Sequence, residues 1–300
     1  MNLLVTGAWS DAKKHISQIE AMGHAVVFMQ QERDALPCEP EWVEGVIANG
    51  LFLTHPIEKF ENLRFIQLTS AGYDRVPMEY VRAHKIKIYN AKGVYSIPIA
   101  EHVVAGVLAL YRQLPFFLGS QKLHQWVKRR DCLELTGKTV CIVGCGSVGS
   151  ECAKRFTALG CRVIGINRTV FESKDYHAVL PLDDLNLDTV LPQADIVVLT
   201  IALTRETTHL IAAQRLNMLK PSAVVVNVSR GQIVDMSALT AVLPHIGGAL
   251  LDVFEEEPLA PDSPLWDMQN VIITPHNSFV GEGISTRMVY TISKNLEATE

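Results

Sequence analysis

The run Thr139-Val140-Cys141-Ile142-Val143-Gly144-Cys145-Gly146-Ser147-Val148-Gly149 constrains this chain more than any other stretch. Residues 139–143 are apolar and read as a buried parallel strand, the strand ends in Gly-x-Gly-x-x-Gly, and residues 150–159 continue with helical periodicity. A glycine fingerprint alone says little; set between a strand and a helix it specifies the phosphate-binding turn of a nucleotide fold. Gly144 makes the tight turn, Gly146 lets the backbone approach a pyrophosphate, and Gly149 lets the helix pack close to the sheet. Cys145, Ser147 and Val148 fill the intervening positions and are expected to share the contact with a dinucleotide.

The next apolar run, residues 162–166, should end at the adenosine ribose. A dinucleotide fold that selects NAD normally places Asp or Glu there to bind the ribose hydroxyls. This chain has Asn167-Arg168-Thr169 and no carboxylate. Arg168 offers a permanently charged planar fork for a ribose 2′-phosphate, and Asn167 and Thr169 can add neutral hydrogen bonds. The expectation is NADP rather than NAD. The competing reading makes Arg168 a solvated loop charge in a protein that accepts both.

Composition excludes several classes. The 300 residues suffice for about two domains of ordinary size, and 48% hydrophobic with 20% charged residues supplies a sizeable core. A net charge of −5 gives no electrostatic reason to expect nucleic acid, and Lys128-Arg129-Arg130 is the only basic run. The first residues, Met1-Asn2-Leu3-Leu4-Val5, read as a strand rather than a signal peptide, and no apolar run is long enough for a bilayer, so no membrane partner is expected. Cysteines at 38, 132, 141, 145, 152 and 161 form no Cys-x-x-Cys pair and no His cluster has zinc spacing, which reads as a reduced, cytoplasmic protein without metal.

The nucleotide unit begins late, and enough chain precedes it for a separate domain. Strands are expected over 3–5, 25–28, 45–48, 65–68 and 86–89, with helices over 11–22, 56–60 and 77–84 between them. A long helix over 97–114, opened by Pro98, leads into the second domain. There six strands are expected, over 139–143, 162–166, 195–200, 223–227, 247–252 and 271–274, and a last helix over 282–296 should return to the first domain. The expected fold class is α/β with two doubly wound parallel sheets: domain 1–96 completed by 276–300, and dinucleotide-binding domain 97–275.

A nicotinamide would sit at the carboxyl ends of the second domain's strands, in the cleft between the domains. Ile201, Val228 and Asp252 lie at those ends and are counted with the cofactor contacts. Three chemical candidates follow successive strands: Arg230 in Asn227-Val228-Ser229-Arg230-Gly231, the acidic stretch Asp252-Val253-Phe254-Glu255-Glu256-Glu257-Pro258, and His276 in Thr274-Pro275-His276-Asn277. Singly, each has a bland explanation: a turn-side charge, a solvated loop, one of ten histidines. Their recurrence on the cofactor side makes coincidence a poor account.

With these motifs, and with Leu68-Thr69-Ser70-Ala71-Gly72-Tyr73-Asp74 and Ala100-Glu101-His102, the chain resembles the D-isomer-specific 2-hydroxyacid dehydrogenase family, which includes glyoxylate/hydroxypyruvate reductases and phosphoglycerate dehydrogenases. The resemblance implies a flavodoxin-like substrate domain beside a Rossmann domain, and a catalytic trio at Arg230, Glu257 and His276. Glu257 is selected over Glu255 and Glu256 because the family's glutamate falls five residues after the strand-end Asp, here Asp252. Arg230 would clamp the carboxylate and ketone oxygen of a 2-oxo acid, and His276 would supply the proton, with Glu257 favouring its imidazolium. Reduction should then fade as the pH rises.

Backbone N–H groups of Ser70, Ala71 and Gly72 are expected to bind the substrate carboxylate, and Leu51 and Phe52 to wall its side chain. A homodimer through 97–114 and the segment up to Asp131 is also implied. The chain departs from the family in having Ala202 where Pro is usual, and in lacking the extended tail and appended regulatory domain of some members. Between Tyr73 and Lys92 there is no basic cluster for a substrate phosphate, although Arg75 could contribute, so an unphosphorylated 2-oxo acid such as glyoxylate or hydroxypyruvate is favoured. The rivals are an NAD-dependent phosphoglycerate dehydrogenase and a non-catalytic, dinucleotide-sensing binding protein.

Overall fold

The computed structural model describes residues 1–299 and divides into two units, Met1–Tyr95 with the stretch from Gly281 onward, and Ser96–Val280. The first unit runs β1 (Asn2–Thr6), α1 (Ala12–Ala21), β2 (Ala25–Met29), β3 (Gly45–Ala48), β4 (Phe65–Leu68), α2 (Met78–Ala83) and β5 (Lys87–Tyr89). All pairings are parallel, in the order β2-β1-β3-β4-β5. Both faces of this sheet are covered. Leu4, Val46, Ile66 and Leu68 pack on one side; Leu3, Val5, Ile47 and Phe65 pack on the other. Residues 57–59, part of an expected helix, make only a short 3-10 turn.

The second unit opens with α3 (Ser96–Tyr111), followed by α4 (Leu114–Lys122). The single helix expected over 97–114 therefore breaks, and the two pieces bend by 67°. Pro115 lacks an N–H and is tolerated only in the first turn of a helix, so the chain restarts there after Gln113 turns left-handed, φ 56°. Neither helix alone is long and apolar enough to cross a membrane. α3 is a core helix: a Cβ at Gly106 would come within 2.4 Å of Leu250, so this glycine lets the helix lie directly on the sheet.

The second sheet follows as β6 (Thr139–Val143), α5 (Ser147–Ala158), β7 (Arg162–Asn167), β8 (Ala178–Pro181), α6 (Asp184–Val190), β9 (Ile196–Leu199), α7 (Ala213–Leu216), β10 (Val224–Asn227), α8 (Met236–Val242), β11 (Gly248–Leu251) and β12 (Val271–Ile273). It is parallel throughout, in the order β12-β11-β10-β9-β6-β7-β8. Seven strands replace the six expected. The addition, β8, is an edge strand that starts on exposed Ala178 and ends on Pro181, which edge positions tolerate and which breaks the apolar run that marks a buried strand. Alternate residues of the central strands separate cleanly. Val143, Val197, Val225 and Leu251 enter one core cluster; Ile142, Val198, Val226 and Leu250 enter the other.

The last helix, α9 (Ile284–Glu297), belongs to the first unit. Met288, Ile292 and Leu296, spaced by four, form its buried stripe and join Leu3, Val5, Ile47 and Phe65. Each such aliphatic side chain contributes about 1.5–3 kcal/mol when fully buried.

Candidate functional site

Each chemical candidate of the second unit lies just beyond the carboxyl end of a parallel strand. The glycine turn follows β6. Gly144 has φ 97°, and a Cβ there would lie 2.6 Å from the Ile201 backbone; a Cβ at Gly149 would lie 2.2 Å from the Gly144 carbonyl oxygen. Gly146 is exposed, with nothing within 4 Å of where its Cβ would point, and it caps α5 without a side-chain hydrogen bond. The cradle thus has the narrow back and open front that a phosphate needs, with uncapped helix N–H groups aimed outward, and it fits a dinucleotide.

Neighbouring strands fix this turn. The Gly144 N–H donates to the Ile166 carbonyl at 2.8 Å, and the Thr200 hydroxyl donates to the Gly144 carbonyl at 2.6 Å. Asn167 at the end of β7 accepts from the Cys145 N–H at 3.1 Å and donates to the Thr169 carbonyl at 2.9 Å. Its side chain therefore braces the turn from within. Arg168 and Thr169 are exposed, and Ile201 and Val228 are half-buried. The carboxyl of Glu206 is held below its ordinary range chiefly by a hydrogen bond with Thr204, with a smaller contribution from the charge of Arg168. Ser147 and Val148 form the first turn of α5, while the Cys145 thiol is buried and pushed up to about 11 by burial.

Arg230 follows β10. Buried Asn227 holds the turn, accepting from the Ser229 N–H and hydroxyl at 3.1 and 2.8 Å and donating to the Arg230 carbonyl at 2.9 Å. The guanidinium donates to the Ser229 carbonyl at 2.8 Å. Any Cβ at Gly231 would fall 1.9 Å from the backbone of Phe254, so glycine there lets the Arg230 turn press against the segment carrying Glu255, Glu256 and Glu257.

The three glutamates separate by partner. Glu255 accepts from the Met236 N–H at 3.0 Å and lies 3.3 Å from His209 Nε2. Glu256 is exposed. Glu257 accepts from the Phe254 N–H at 3.1 Å through Oε1, and its Oε2 lies 2.9 Å from His276 Nδ1. The structure thus brings Glu257, and neither neighbour, to His276. The imidazole is partly exposed, and the edge of Phe279 meets it at a ring distance of 6.4 Å.

Asp252, at the end of β11, is 1% exposed and turned inward. Its carboxylate accepts from the Thr274 hydroxyl at 2.5 Å, the Asn277 N–H at 2.8 Å and the Ser278 N–H at 3.1 Å, and its carbonyl accepts from the His276 N–H at 2.8 Å. Sequence reasoning placed Asp252 at the cofactor; the partners of its carboxylate are Thr274, Asn277 and Ser278, which flank His276. Asn227, Gly231 and Thr274, which fix the site from behind, were not singled out for a role; those of Gly231 and Thr274 show only in partners distant in sequence, Phe254 and Asp252.

In the first unit, Leu51 is fully buried in the core beside Ala48 and Leu68, whereas Phe52 is only partly buried. Ser70–Gly72 forms the turn after β4: the Ser70 hydroxyl donates to the Gly72 carbonyl at 3.2 Å, and Asn90 donates to the Ala71 carbonyl at 2.6 Å. Two cavities lie away from these residues. One of about 720 Å³ is lined by Phe117, His124, Trp126 and Arg129, another of about 300 Å³ by Asp184, His209 and Arg215, and neither includes Arg230, Glu257 or His276. The site is identified by the converging chemistry of Arg230, Glu257 and His276.

Comparison with known proteins finds relatives over most of the chain. Residues 104–278 match the family described as D-isomer specific 2-hydroxyacid dehydrogenase, NAD binding domain. The glyoxylate reductase of Thermofilum pendens is 34% identical over 288 residues, 91% of this chain and 84% of that protein. The D-3-phosphoglycerate dehydrogenase of Archaeoglobus fulgidus is 34% identical over 223 residues, 73% of this chain but 42% of that longer protein. A D-isomer specific 2-hydroxyacid dehydrogenase of Xanthobacter autotrophicus, solved with NADPH, superposes with a TM-score of 0.81 at 28% identity, covering 99% of this chain and 94% of that one. The chain belongs to the D-isomer specific 2-hydroxyacid dehydrogenase family and is an NAD(P)-dependent oxidoreductase.

Proposed function

We propose that the protein is an NADPH-preferring reductase of a small, unphosphorylated 2-oxo acid, with glyoxylate and hydroxypyruvate as its substrates. The observation that carries this reading is the His276 Nδ1–Glu257 Oε2 pair at 2.9 Å at the end of β12. With Nδ1 committed to the carboxylate, Nε2 is the nitrogen that exchanges a proton with substrate. Arg230 binds the substrate carboxylate and ketone oxygen through its parallel N–H donors and stabilises the alkoxide that develops on that oxygen. His276, as imidazolium, donates the proton; in the reverse direction neutral His276 removes it from the alcohol. Glu257 orients the ring through its bond to Nδ1. The dinucleotide, held by Gly144–Gly149 and the adjoining strand ends, supplies the hydride. NADPH preference is supported by Asn167-Arg168-Thr169, where no carboxylate meets the ribose and Arg168 is exposed.

The protein is further read as a cytoplasmic homodimer. Leu118, Leu123 and Trp126, on α4 and just beyond it, are exposed, Trp126 at 95%, and a second copy covering this face would bury them. Light scattering tests the dimer.

Steady-state reduction of glyoxylate, hydroxypyruvate, pyruvate and 3-phosphohydroxypyruvate, each with NADPH and NADH, tests the reading. The highest kcat/KM is expected for glyoxylate or hydroxypyruvate with NADPH. A clear preference for the phosphorylated acid with NADH would replace it by phosphoglycerate dehydrogenase. Tight dinucleotide binding with no turnover of any of the four would replace it by the sensor.

A further inference from the structure

We propose that His102, on α3, is a positioning residue for His276 and acts through a directed chain of hydrogen bonds, His102 to Thr274 to Asp252. The inference rests on the role given to His276 above. Its direction follows from which atoms can donate. An ionised carboxylate only accepts, so Thr274 directs its single hydroxyl proton at Asp252 Oδ1, 2.5 Å away. Thr274 Oγ1 can then only accept from its other neighbour, His102 Nε2 at 3.3 Å. That nitrogen must carry a proton, which fixes the orientation of the chain.

The far end of the chain grips His276 from both sides. The carbonyl of Asp252 takes the N–H of His276, and its carboxylate takes the N–H groups of Asn277 and Ser278. This grip is needed because His276 has φ 51°, a left-handed conformation that costs a non-glycine residue about 1–2 kcal/mol and persists only where the surroundings enforce it. Thr274 anchors Asp252 Oδ1 from the strand side, and His102 anchors Thr274 from a helix buried on the sheet. Half-burial holds the His102 imidazole below its ordinary value, partly offset by the charge of Asp252, which suits a neutral donor. His102 touches neither Glu257 nor His276 in this chain of bonds; its effect is transmitted entirely by geometry.

The test compares variants that break the chain with variants that keep its donors. Thr274→Val and His102→Leu remove a link; Thr274→Ser keeps the hydroxyl, and His102→Gln keeps an N–H at a similar reach. His276→Ala runs alongside, and dinucleotide affinity by fluorescence reports folding. The two breaking variants should lose about tenfold in kcat, with KM and dinucleotide Kd changed less than about twofold. The two conservative variants should recover most of that loss, and the Thr274→Val/His102→Leu double variant should be no worse than the worse single variant. Wild-type kcat in both breaking variants, additive losses in the double variant, or a proportional loss of dinucleotide binding would overturn the proposal. If a breaking variant does not bind dinucleotide at all, the conservative pair decides: kcat as low in Thr274→Ser or His102→Gln as in His276→Ala overturns it, and near-wild-type kcat upholds it. Collapse in His276→Ala with unaffected Thr274→Val and His102→Leu sinks this inference alone, whereas full activity in His276→Ala sinks the functional reading and this inference with it.

Discussion

The two sheets of this protein are built on one plan but treat their first strand ends in opposite ways. In the first unit, Glu32, just past β2, turns its carboxylate back to the strand ends and accepts from the Thr6 hydroxyl and the Asn49 and Gly50 N–H groups, each at 2.7 Å. The donors that a parallel sheet offers beside its central strand are satisfied there by the protein's own anion. In the second unit the residue closing β7 is Asn167, a neutral side chain, and its oxygen takes only the Cys145 N–H while α5 starts uncapped at Gly146. That leaves helix N–H groups and their partial positive charge for an external phosphate. Two doubly wound sheets thus present different chemistry at or just past the end of the second strand of each, a carboxylate at Glu32 and a neutral amide at Asn167, and a fold alone does not name an activity.

This contrast can be broken from either side. Gly149→Val should have the largest effect: a side chain cannot occupy a position 2.2 Å from the Gly144 carbonyl, so α5 must move off the turn. Titration calorimetry should show dinucleotide affinity weakened by about 100-fold, equivalent to about 2.7 kcal/mol. Wild-type affinity would mean that the turn is not the phosphate cradle. Arg168→Ala comes next. A charge-assisted contact contributes about 1.5–3 kcal/mol, so NADPH affinity should fall by roughly 10- to 100-fold while NADH affinity hardly moves. Equal losses for both cofactors would remove Arg168 from cofactor selection.

On the other side of the comparison, Glu32→Gln replaces a carboxylate that accepts three hydrogen bonds by an amide with one acceptor and two donors. It should cost roughly 2 kcal/mol and lower Tm by roughly 5 °C, with dinucleotide affinity unchanged. A shift in affinity rather than in Tm would mean that Glu32 serves ligand binding. The last test concerns alkaline pH. Cys145 and Cys161 sit at about 11 and Cys141 and Cys152 at about 12 because burial penalises the thiolate, against 9 for an ordinary thiol. A raised value stabilises the fold fully below pH 9, and this contribution is lost progressively as the pH rises through the folded values. Melting curves should therefore decline from pH 9 towards 11, with these four thiols of the second unit shielded from iodoacetamide below that window. Rapid alkylation of all four at pH 8 would contradict it.

Much of this was legible in the sequence wherever the physics is local. The central strands announced themselves as unbroken apolar runs because both faces of each sheet are covered. The glycine turn was visible because strand, glycines and helix are contiguous. Strand β8 escaped because an edge strand with an exposed start and a terminal proline carries no such run. The break between α3 and α4 was signalled by Pro115 but masked by continued apolar residues on both sides. At the site, Arg230 and His276 stood out by residue type and strand-end position. Three adjacent glutamates, by contrast, hold no local information about which one turns towards a histidine; Glu255 meets His209 and Glu257 meets His276, both distant in sequence. The bond between His102 and Thr274 joins residues 172 apart in sequence, and no pattern within either segment could have indicated it.

The most direct test of the central claim is steady-state reduction of glyoxylate by NADPH with the wild-type protein and His276→Ala, paired with NADPH binding to each. The account predicts measurable turnover in the wild type and a loss of roughly 100- to 10,000-fold in kcat for the variant, the range expected when a general acid is removed, with NADPH affinity unchanged. Turnover of His276→Ala within a few-fold of the wild type, with equal NADPH affinity, would show that the proton comes from another group and would contradict the account.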